Sequence, residues 1–586
     1  MKTQIQVLKK NGNIQNFDDE KIKKAINKSA TRVCIELSEE EQSKVVKIIK
    51  KRLQYNAVPI PVSTLHNMVE CALDDVNPKV AKSYREYRDN KSSFASMLDK
   101  VYNKKLSLNF IGDRSNANAD SALVTTQKAI VYNELNSELY KKFFLTREEE
   151  QAMSEGYIYI HDRGSRLDSI NCCLFDMKNI LTGGFQMGNL DYQEPKTIDV
   201  AFDLIGDVSM NAAACQYGGF SISEIDKLLA PYAKKSYDKY IRECKELLFE
   251  TTLEDEDIEK KVEDYAWKKV TRDIEQGVQG LEMKFNSVAT SRGDYPFTSI
   301  SFGLGKSKFE TLISSIFLKV RKEGQGKEGF KHPVLFPKLS FFYDENLHGE
   351  GKELEWLFDE AIDCSSKAMY PDYISCTGDG YAPSIYKKYG ITISRMGCRA
   401  NLSEWYERGG MYPADENDKP VYEGRFNLGA ISLHFPMILA KAKQENKDFY
   451  EVLTYYLEMV RNIHKRTFEY LSHKKAGTNP LGFCQGGFLN GYFDPEEEIG
   501  EDFLRPMTMS FGITALNETS ILYNGKSIAE DNTFAIEVLK FINEYADRIK
   551  KEDNILYAIY RDTCRIPLWA SNKTICKKIW NNKRCF

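Results

Sequence analysis

From about residue 105 to residue 560 the chain alternates short β-like runs with longer helical ones, and no other feature restricts its fold as much. Gly156-Tyr157-Ile158-Tyr159-Ile160-His161, Phe297-Thr298-Ser299-Ile300-Ser301-Phe302 and Leu428-Gly429-Ala430-Ile431-Ser432-Leu433 are examples of the short runs. Their length and their β-branched and aromatic residues suit strands. Helical stretches separate them, which predicts an α/β domain. Residues 224–285 are strongly helical and highly charged, and read as exposed helices suited to a subunit interface. At 586 residues the chain exceeds what one core organises, so a second domain is expected. No internal repeat is evident.

Charge and cysteine usage exclude several classes. The net charge is −4 with no sustained basic block, so nucleic acid is not an expected partner. No apolar run approaches membrane-spanning length, and no membrane association is expected. The start, Met1-Lys2-Thr3-Gln4-Ile5-Gln6-Val7-Leu8-Lys9-Lys10, lacks a signal-peptide core. The 13 cysteines are odd in number and include no Cys-x-x-Cys, which argues for reduced thiols, a cytoplasmic location and no zinc ribbon.

The N-terminal 95 residues read as a separate module. Val7-Leu8-Lys9-Lys10-Asn11-Gly12-Asn13 is a short strand ending in an Asn-Gly turn. Asp18 is set to cap a first helix through Ile22 and Ile26. Ser38 and Glu41 have capping-box spacing before Val45, Val46, Ile49 and Leu53. Leu65, Met68, Val69, Ala72 and Leu73 predict a third helix, and Val80-Ala81-Lys82-Ser83-Tyr84-Arg85-Glu86-Tyr87-Arg88 a fourth. Lys9, Lys10 and Lys21, beside the Asn11-Gly12 turn, suit a triphosphate clamp. On spacing alone a solvated lysine face fits equally well. The polar, small residues 89–96 read as a boundary. The order of motifs goes further: Val-x-Lys-Lys-Asn-Gly, Phe-Asp-x-x-Lys-Ile and Val-Ala-x-x-Tyr-x-x-Tyr-Arg resemble an ATP-cone over residues 3–92. That resemblance implies ATP as activator and dATP as inhibitor, bound through Lys9, Lys10, Asn11, Gly12 and Lys21.

Met396-Gly397-Cys398-Arg399 places a cysteine between a flexible Gly and a cation, in turn-like sequence suited to a loop tip inside a cavity. Taken singly, Cys398 or Cys172 is more readily a small buried hydrophobe, Asn427 also fits a turn, and His161 fits a satisfied core histidine and a catalytic group equally well. Their joint order points elsewhere. His161-Asp162, then Asn171-Cys172-Cys173-Leu174, then Met396-Gly397-Cys398-Arg399, then Arg425-Phe426-Asn427-Leu428-Gly429 resemble the anaerobic (class III) ribonucleotide reductases. Pro195-Lys196-Thr197-Ile198, Gln216-Tyr217-Gly218-Gly219, Phe336-Pro337-Lys338-Leu339, Met369-Tyr370-Pro371-Asp372 and Ser510-Phe511-Gly512-Ile513-Thr514 extend the match across residues 100–560. The resemblance implies a ten-stranded α/β barrel of two antiparallel halves. It also implies a thiyl at Cys398, a reducing thiol at Cys172, a ribose-holding Asn427 and a specificity-effector contact at Lys196. The family often has His two positions before His161. Tyr159 stands here, which leaves formate and a dithiol as alternative reductants. Gly303-Leu304-Gly305-Lys306-Ser307 is no phosphate loop, because Ile300 occupies the position of its first Gly. Cys34, Cys71, Cys173, Cys215 and Cys244 read as structural.

Beyond Tyr557-Ala558-Ile559-Tyr560 the resemblance stops. The family continues with Gly-Thr-Pro-Ala-Glu, a zinc site of cysteine pairs and a glycyl-radical loop. Back-translating from Arg561 with permitted codons and dropping one base restores Gly-Thr-Pro-Ala-Glu-Ser-Leu-Cys-Gly-Leu. The expectation is a frameshift, with residues 561–586 an aberrant tail without function. Glycyl radical and zinc then belong to the intact family enzyme, and their residues are absent here. The chain by itself is expected to be inactive. The implied partners are a ribonucleoside triphosphate, a radical-SAM activating enzyme and a second copy of the chain. A nucleotide-binding remnant and a formate-lyase-type enzyme are the alternatives; the lone Cys398 and the ATP-cone argue against the latter.

Overall fold

The computed structural model describes residues 5–9, 12–33, 35–54, 59–110, 122–248, 255–397, 401–489 and 491–561. Cys34, Lys10, Asn11 and Cys398 lie outside the described residues, as does the tail 561–586 expected to be frameshifted, except Arg561. Two compact units divide the chain, 1–106 and 107–586.

In the smaller unit, β1 (Gln6–Leu8) and β2 (Ile14–Asn16) form an antiparallel hairpin. α1 (Asp19–Arg32) is capped by Asp18, whose carboxylate accepts from Glu20 N and Lys21 N. α2 (Glu39–Leu53) begins with the capping box of Ser38 and Glu41 and buries Val45, Val46, Ile49 and Leu53. β3 (Ile60–Pro61) pairs parallel to β1, so three short strands stand where one was expected. α3 (Val62–Asp74) buries Leu65, Val69, Ala72 and Leu73 against the same core. α4 (Pro78–Phe110) runs without a break through residues 89–96, the segment read as a boundary. No Gly or Pro lies between Lys79 and Phe110, so polarity alone did not end the helix.

The larger unit is built on two sheets. Its strands are β4 (Ile158–Ile160), β5 (Cys173–Leu174), a hairpin of β6 (Phe185–Met187) and β7 (Leu190–Tyr192), β8 (Phe220–Ile222), β9 (Thr298–Phe302), β10 (Lys338–Tyr343), β11 (Asp372–Ser375), β12 (Asn427–His434), β13 (Thr508–Thr514) and β14 (Leu556–Arg561). One sheet has the order β11-β10-β9-β8-β5, all parallel. In the other, β12, β13 and β14 run parallel and β4 is antiparallel at the edge. A single antiparallel bridge, Cys173 to Phe426, joins them. The ten strands expected are therefore nine among the described residues, five and four, and the two antiparallel halves are present.

Strand alternation divides the two faces of each sheet. Ile300, Phe302, Leu339, Phe341, Ile431, Leu433, Met509, Phe511 and Tyr557 belong to the main apolar core. Ser299, Ser301, Ser340, Ser432, Thr508, Ser510 and Thr514 alternate with them and face the other way, toward an interior lined by small polar groups. The helices of 224–285 correct the expectation of mere exposure. Val262, Ala266, Val270, Ile274, Val278, Leu281 and Phe285 are all buried, so the helix Asp255–Ser287 presents an apolar stripe to the core and its charges to the other side.

Candidate active site

The residues of the candidate site meet at the seam between the sheets. Asn171 N donates to Asn427 O at 2.9 Å, and Asn427 N to Cys172 O at 2.7 Å. Cys172 and Asn427 therefore face each other across the join. In the register of β12 with β13, Asn427 opposes Thr508 and Gly429 opposes Met509, so Leu428 is an extra, bulged residue. The bulge is what turns Asn427 inward. Ala430 and Ser432 already face the interior, and in an unbroken strand a residue three positions before Ala430 would face the core instead.

The Asn427 side chain, 2% exposed, is fixed by its neighbours. Oδ1 accepts from Gly429 N at 2.7 Å and from Asn171 Nδ2 at 3.3 Å. Nδ2 donates to Ser510 Oγ at 2.7 Å. The Gly429 amide needs an acceptor, which sets the amide orientation. Both carbonyl lone pairs are then used, and one Nδ2 hydrogen is left to donate to a ligand.

Cys172 Sγ accepts from Gly219 N at 3.1 Å. It packs with Leu174, Ile385, Ile393, Met396, Leu402 and Tyr422. Ile385, Ile393 and Met396 precede Cys398 in the sequence and Leu402 and Tyr422 follow it, so the described parts of the segment between β11 and β12 pack around Cys172. Ser394 Oγ meets Ser301 Oγ at 2.7 Å, and Lys338 Nζ donates to Gly397 O at 3.3 Å. A Cβ at Gly219 would come within 3.1 Å of the Gly397 backbone, and one at Gly397 within 2.4 Å of the Phe297 ring. The missing side chain at Gly219, whose amide Cys172 Sγ accepts from, thus lets Gly397 approach closely, and Gly397 itself makes room for the Phe297 ring. Cys398 follows Gly397 directly and lies outside the described residues.

Cys173 points the opposite way. It is fully buried in the apolar core, its Sγ donates to Gln216 Oε1 at 3.3 Å, and burial pushes its thiol up to about 12. Burial likewise raises Cys364 to about 11 and Cys376 to about 12. Thiolate is the reactive form and falls tenfold per unit of pH below the pKa. In the folded protein at pH 8, iodoacetamide is expected to label exposed Cys71 and leave these three unmodified, as read by peptide mass spectrometry. Equal labelling of Cys71 and Cys173 would contradict the burial argument.

His161 is no bare core histidine. Its Nε2 meets Ser432 Oγ at 2.8 Å and Tyr560 OH at 3.2 Å, with the Tyr159 ring edge-on to it. Lys196 is exposed just before the helix Ile198–Ala214. In the smaller unit Lys9 N donates to Asn13 O at 2.9 Å and Gly12 N to Lys9 O at 3.0 Å, closing a turn at which Gly12 has φ 82°. Lys21 lies 3.9 Å from Asp18, an exposed pair of little energetic weight. The Gly303–Ser307 segment is occupied from within. Asp226 Oδ2 accepts from the amides of Gly303 and Gly305, and Ser307 caps the helix Lys308–Glu323. Among the described residues no group of three or more His, Cys, Asp or Glu could hold a metal, so the implied zinc has no described ligands, and no helix is long and apolar enough to cross a membrane.

Sequence reading missed the bulge at Leu428 and the support behind it. Ser510 touches Asn427, and His464 and Arg166 follow it in a chain of contacts; only Ser510 lay in a noted motif. No local pattern marks a residue that acts across hundreds of positions.

Comparisons with known proteins bear on this geometry. The family model described as anaerobic ribonucleoside-triphosphate reductase matches residues 115–562, and that of the ATP cone domain residues 5–93. The anaerobic ribonucleoside-triphosphate reductase of Haemophilus influenzae is 27% identical over 577 residues, covering 94% of this chain and 76% of its own. That of Enterobacteria phage T4 is 28% identical over 458 residues, covering 76% and 69%. The solved anaerobic ribonucleotide reductase of Thermotoga maritima with dATP bound in the specificity site superposes with a TM-score of 0.56 at 13% identity, covering 83% of this chain and 79% of that one, which shows a shared fold. The chain belongs to the anaerobic ribonucleoside-triphosphate reductase family of oxidoreductases and carries an N-terminal ATP cone.

Proposed function

We propose that the interior between the two sheets binds a ribonucleoside triphosphate with its ribose between Cys172, Asn427 and Cys398. The observation that supports this most is the bulge, which brings the Asn427 amide inward beside Cys172, while Gly397, the residue before Cys398, lies against Gly219. In this reading Cys398, as a thiyl, takes the 3′-hydrogen atom and later returns it. The S–H bond formed is of comparable strength to the C–H bond broken. The 2′-hydroxyl leaves as water. Replacing C2′–OH by C2′–H takes two electrons and two protons. Cys172 is the side chain placed to deliver one hydrogen atom, and formate leaving as carbon dioxide, or a dithiol leaving as disulfide, supplies both electrons overall and restores Cys172 as a thiol. The free Nδ2 hydrogen of Asn427 holds a ribose oxygen without introducing a charge. The radical equivalent itself is assigned to no described residue.

ATP and dATP are the proposed effectors. The ATP cone supports this, with Lys9, Lys10, Asn11, Gly12 and Lys21 as its contacts, as does the dATP in the Thermotoga maritima specificity site. Lys196 is the proposed contact for a specificity effector. Family membership supports a radical-SAM activating enzyme and a second copy of the chain as partners. The free cysteines of the described residues fit a reducing, cytoplasmic setting.

Thiol protection tests the site without requiring turnover. Cytidine triphosphate at about ten times its Kd is expected to slow alkylation of Cys398 and Cys172 about tenfold, because only the free form reacts. Unchanged labelling of both at saturating nucleotide would remove the ribose from this position.

A further inference from the structure

Behind Asn427 lies a buried network that the reaction does not use directly. The antiparallel ladder of β4 with β12 breaks after His161, residues 162–170 leave it, and pairing resumes at Asn171. Arg166, fully buried, occupies this gap. Its Nη1 donates to Ala430 O at 3.1 Å and its Nη2 contacts His464 Nδ1 at 3.1 Å. His464, also fully buried, reaches Ser510 O with Nε2 at 3.2 Å. Ser510 Oγ in turn receives the Asn427 Nδ2 hydrogen. The donors and acceptors permit one assignment. A guanidinium only donates, so His464 Nδ1 accepts, and the imidazole proton sits on Nε2 and points at Ser510 O. Burial and the adjacent guanidinium both hold His464 well below its usual pKa, in agreement with a neutral ring.

The bulge and the guanidinium are also matched in shape. Gly429 has φ 146°, and a Cβ there would lie 2.3 Å from Arg166 Nη1. Tyr217 OH donates to the carbonyl of the bulged Leu428 at 3.3 Å. A buried guanidinium is expensive to keep, and Arg166 Nε finds no hydrogen-bond partner among the described residues. One bonded nitrogen holds the carbonyl of Ala430 just past the bulge, and the other holds His464, which reaches Ser510.

We propose that Arg166 and His464 are positioning residues that hold the β12 bulge and Ser510 so that the Asn427 amide presents its free hydrogen to the ribose. They act through Asn427 and touch no substrate. This rests on the ribose-binding reading above. Lys at 166 keeps the charge but cannot bridge Ala430 O and His464 Nδ1 with a planar fork. Gln at 464 offers one acceptor and one donor, as the neutral ring does, whereas Leu offers neither.

The test measures equilibrium binding of cytidine triphosphate and of 3′-deoxycytidine triphosphate to the full chain and to Asn427→Ala, Arg166→Lys, His464→Leu and His464→Gln. The readout is the ratio of the two affinities, which isolates recognition of the ribose hydroxyl from that of base and phosphates. Asn427→Ala, Arg166→Lys and His464→Leu are expected to lower the ratio about tenfold, the effect of about one hydrogen bond, and His464→Gln to keep it within about twofold. A merely structural role would weaken both nucleotides in parallel and leave the ratio alone. That outcome, or a wild-type ratio in Arg166→Lys and His464→Leu, overturns the proposal. If His464→Leu does not fold, Arg166→Lys decides. If Asn427→Ala itself keeps the wild-type ratio, the ribose-binding reading is what fails.

Discussion

Asn427→Ala is expected to weaken ribonucleoside triphosphate binding by about tenfold to a hundredfold, and Asn427→Asp by about tenfold. One lost hydrogen bond to the ligand accounts for about 0.5–1.5 kcal/mol. The larger part comes from what the alanine leaves behind. Gly429 N loses a 2.7 Å acceptor, Ser510 Oγ loses a 2.7 Å donor, and both are buried. Unpaired buried groups cost about 1–3 kcal/mol each, and the bulge would relax to recover them, turning the strand. Asp separates the two effects. It preserves shape and the acceptor for Gly429 N, but it removes the amide donor that faces the ribose. Isothermal titration with cytidine triphosphate reads both variants, and ATP binding to the N-terminal unit serves as an internal control. Full affinity in Asn427→Asp would show that the amide hydrogen is not what the ligand meets.

Arg321→Ala is expected to cost the larger unit about 3–5 kcal/mol, because it strands a buried charge. Neither Arg321 nor Glu282 exposes any side-chain surface. Arg321 Nε donates to Glu282 Oε1 at 2.8 Å and Nη2 to Pro337 O at 2.7 Å, and Gln325 Nε2 donates to Glu282 Oε2 at 2.8 Å. Without the guanidinium, Glu282 keeps only the Gln325 amide. Domain stabilities run to about 5–15 kcal/mol, so the single variant approaches the whole margin. Arg321→Met combined with Glu282→Leu removes both charges together and is expected to recover most of the loss. Urea unfolding followed by circular dichroism distinguishes the variants. An Arg321→Ala midpoint within about 1 kcal/mol of wild type would mean that the pair is solvated in solution.

Much of the fold could be read locally. The capping box at Ser38 and Glu41, the Asp18 cap and the apolar stripe Val45-Val46-Ile49-Leu53 all formed as expected, because each depends on residues within one or two helical turns. The same locality explains the rejection of a phosphate loop at Gly303–Ser307. The missing glycine was visible, although the Asp226 carboxylate that fills the amides comes from 77 residues away. Local reading failed at 89–96, where polar residues continued a helix, and in 224–285, where dense charge concealed a continuous buried stripe.

The site divides along the same line. The alternation of short strands and helices by itself determined the α/β class, and the resemblance carried by the order of the motifs determined the family and put forward Cys172, Cys398 and Asn427 as the candidate site, since a resemblance depends on residue identity at fixed positions. Only the tertiary structure decided that Asn427 faces inward, that Cys172 and Cys173 look in opposite directions, and that Arg166 and His464 stand behind the amide. Each of these follows from strand pairing. A single bulged residue inverts the facing of everything before it, and the contacts that fix it join positions 264 and 298 residues apart. Pairing over such separations is set by the burial of whole sheets rather than by any segment's own preference, so no local stretch of the chain contains it.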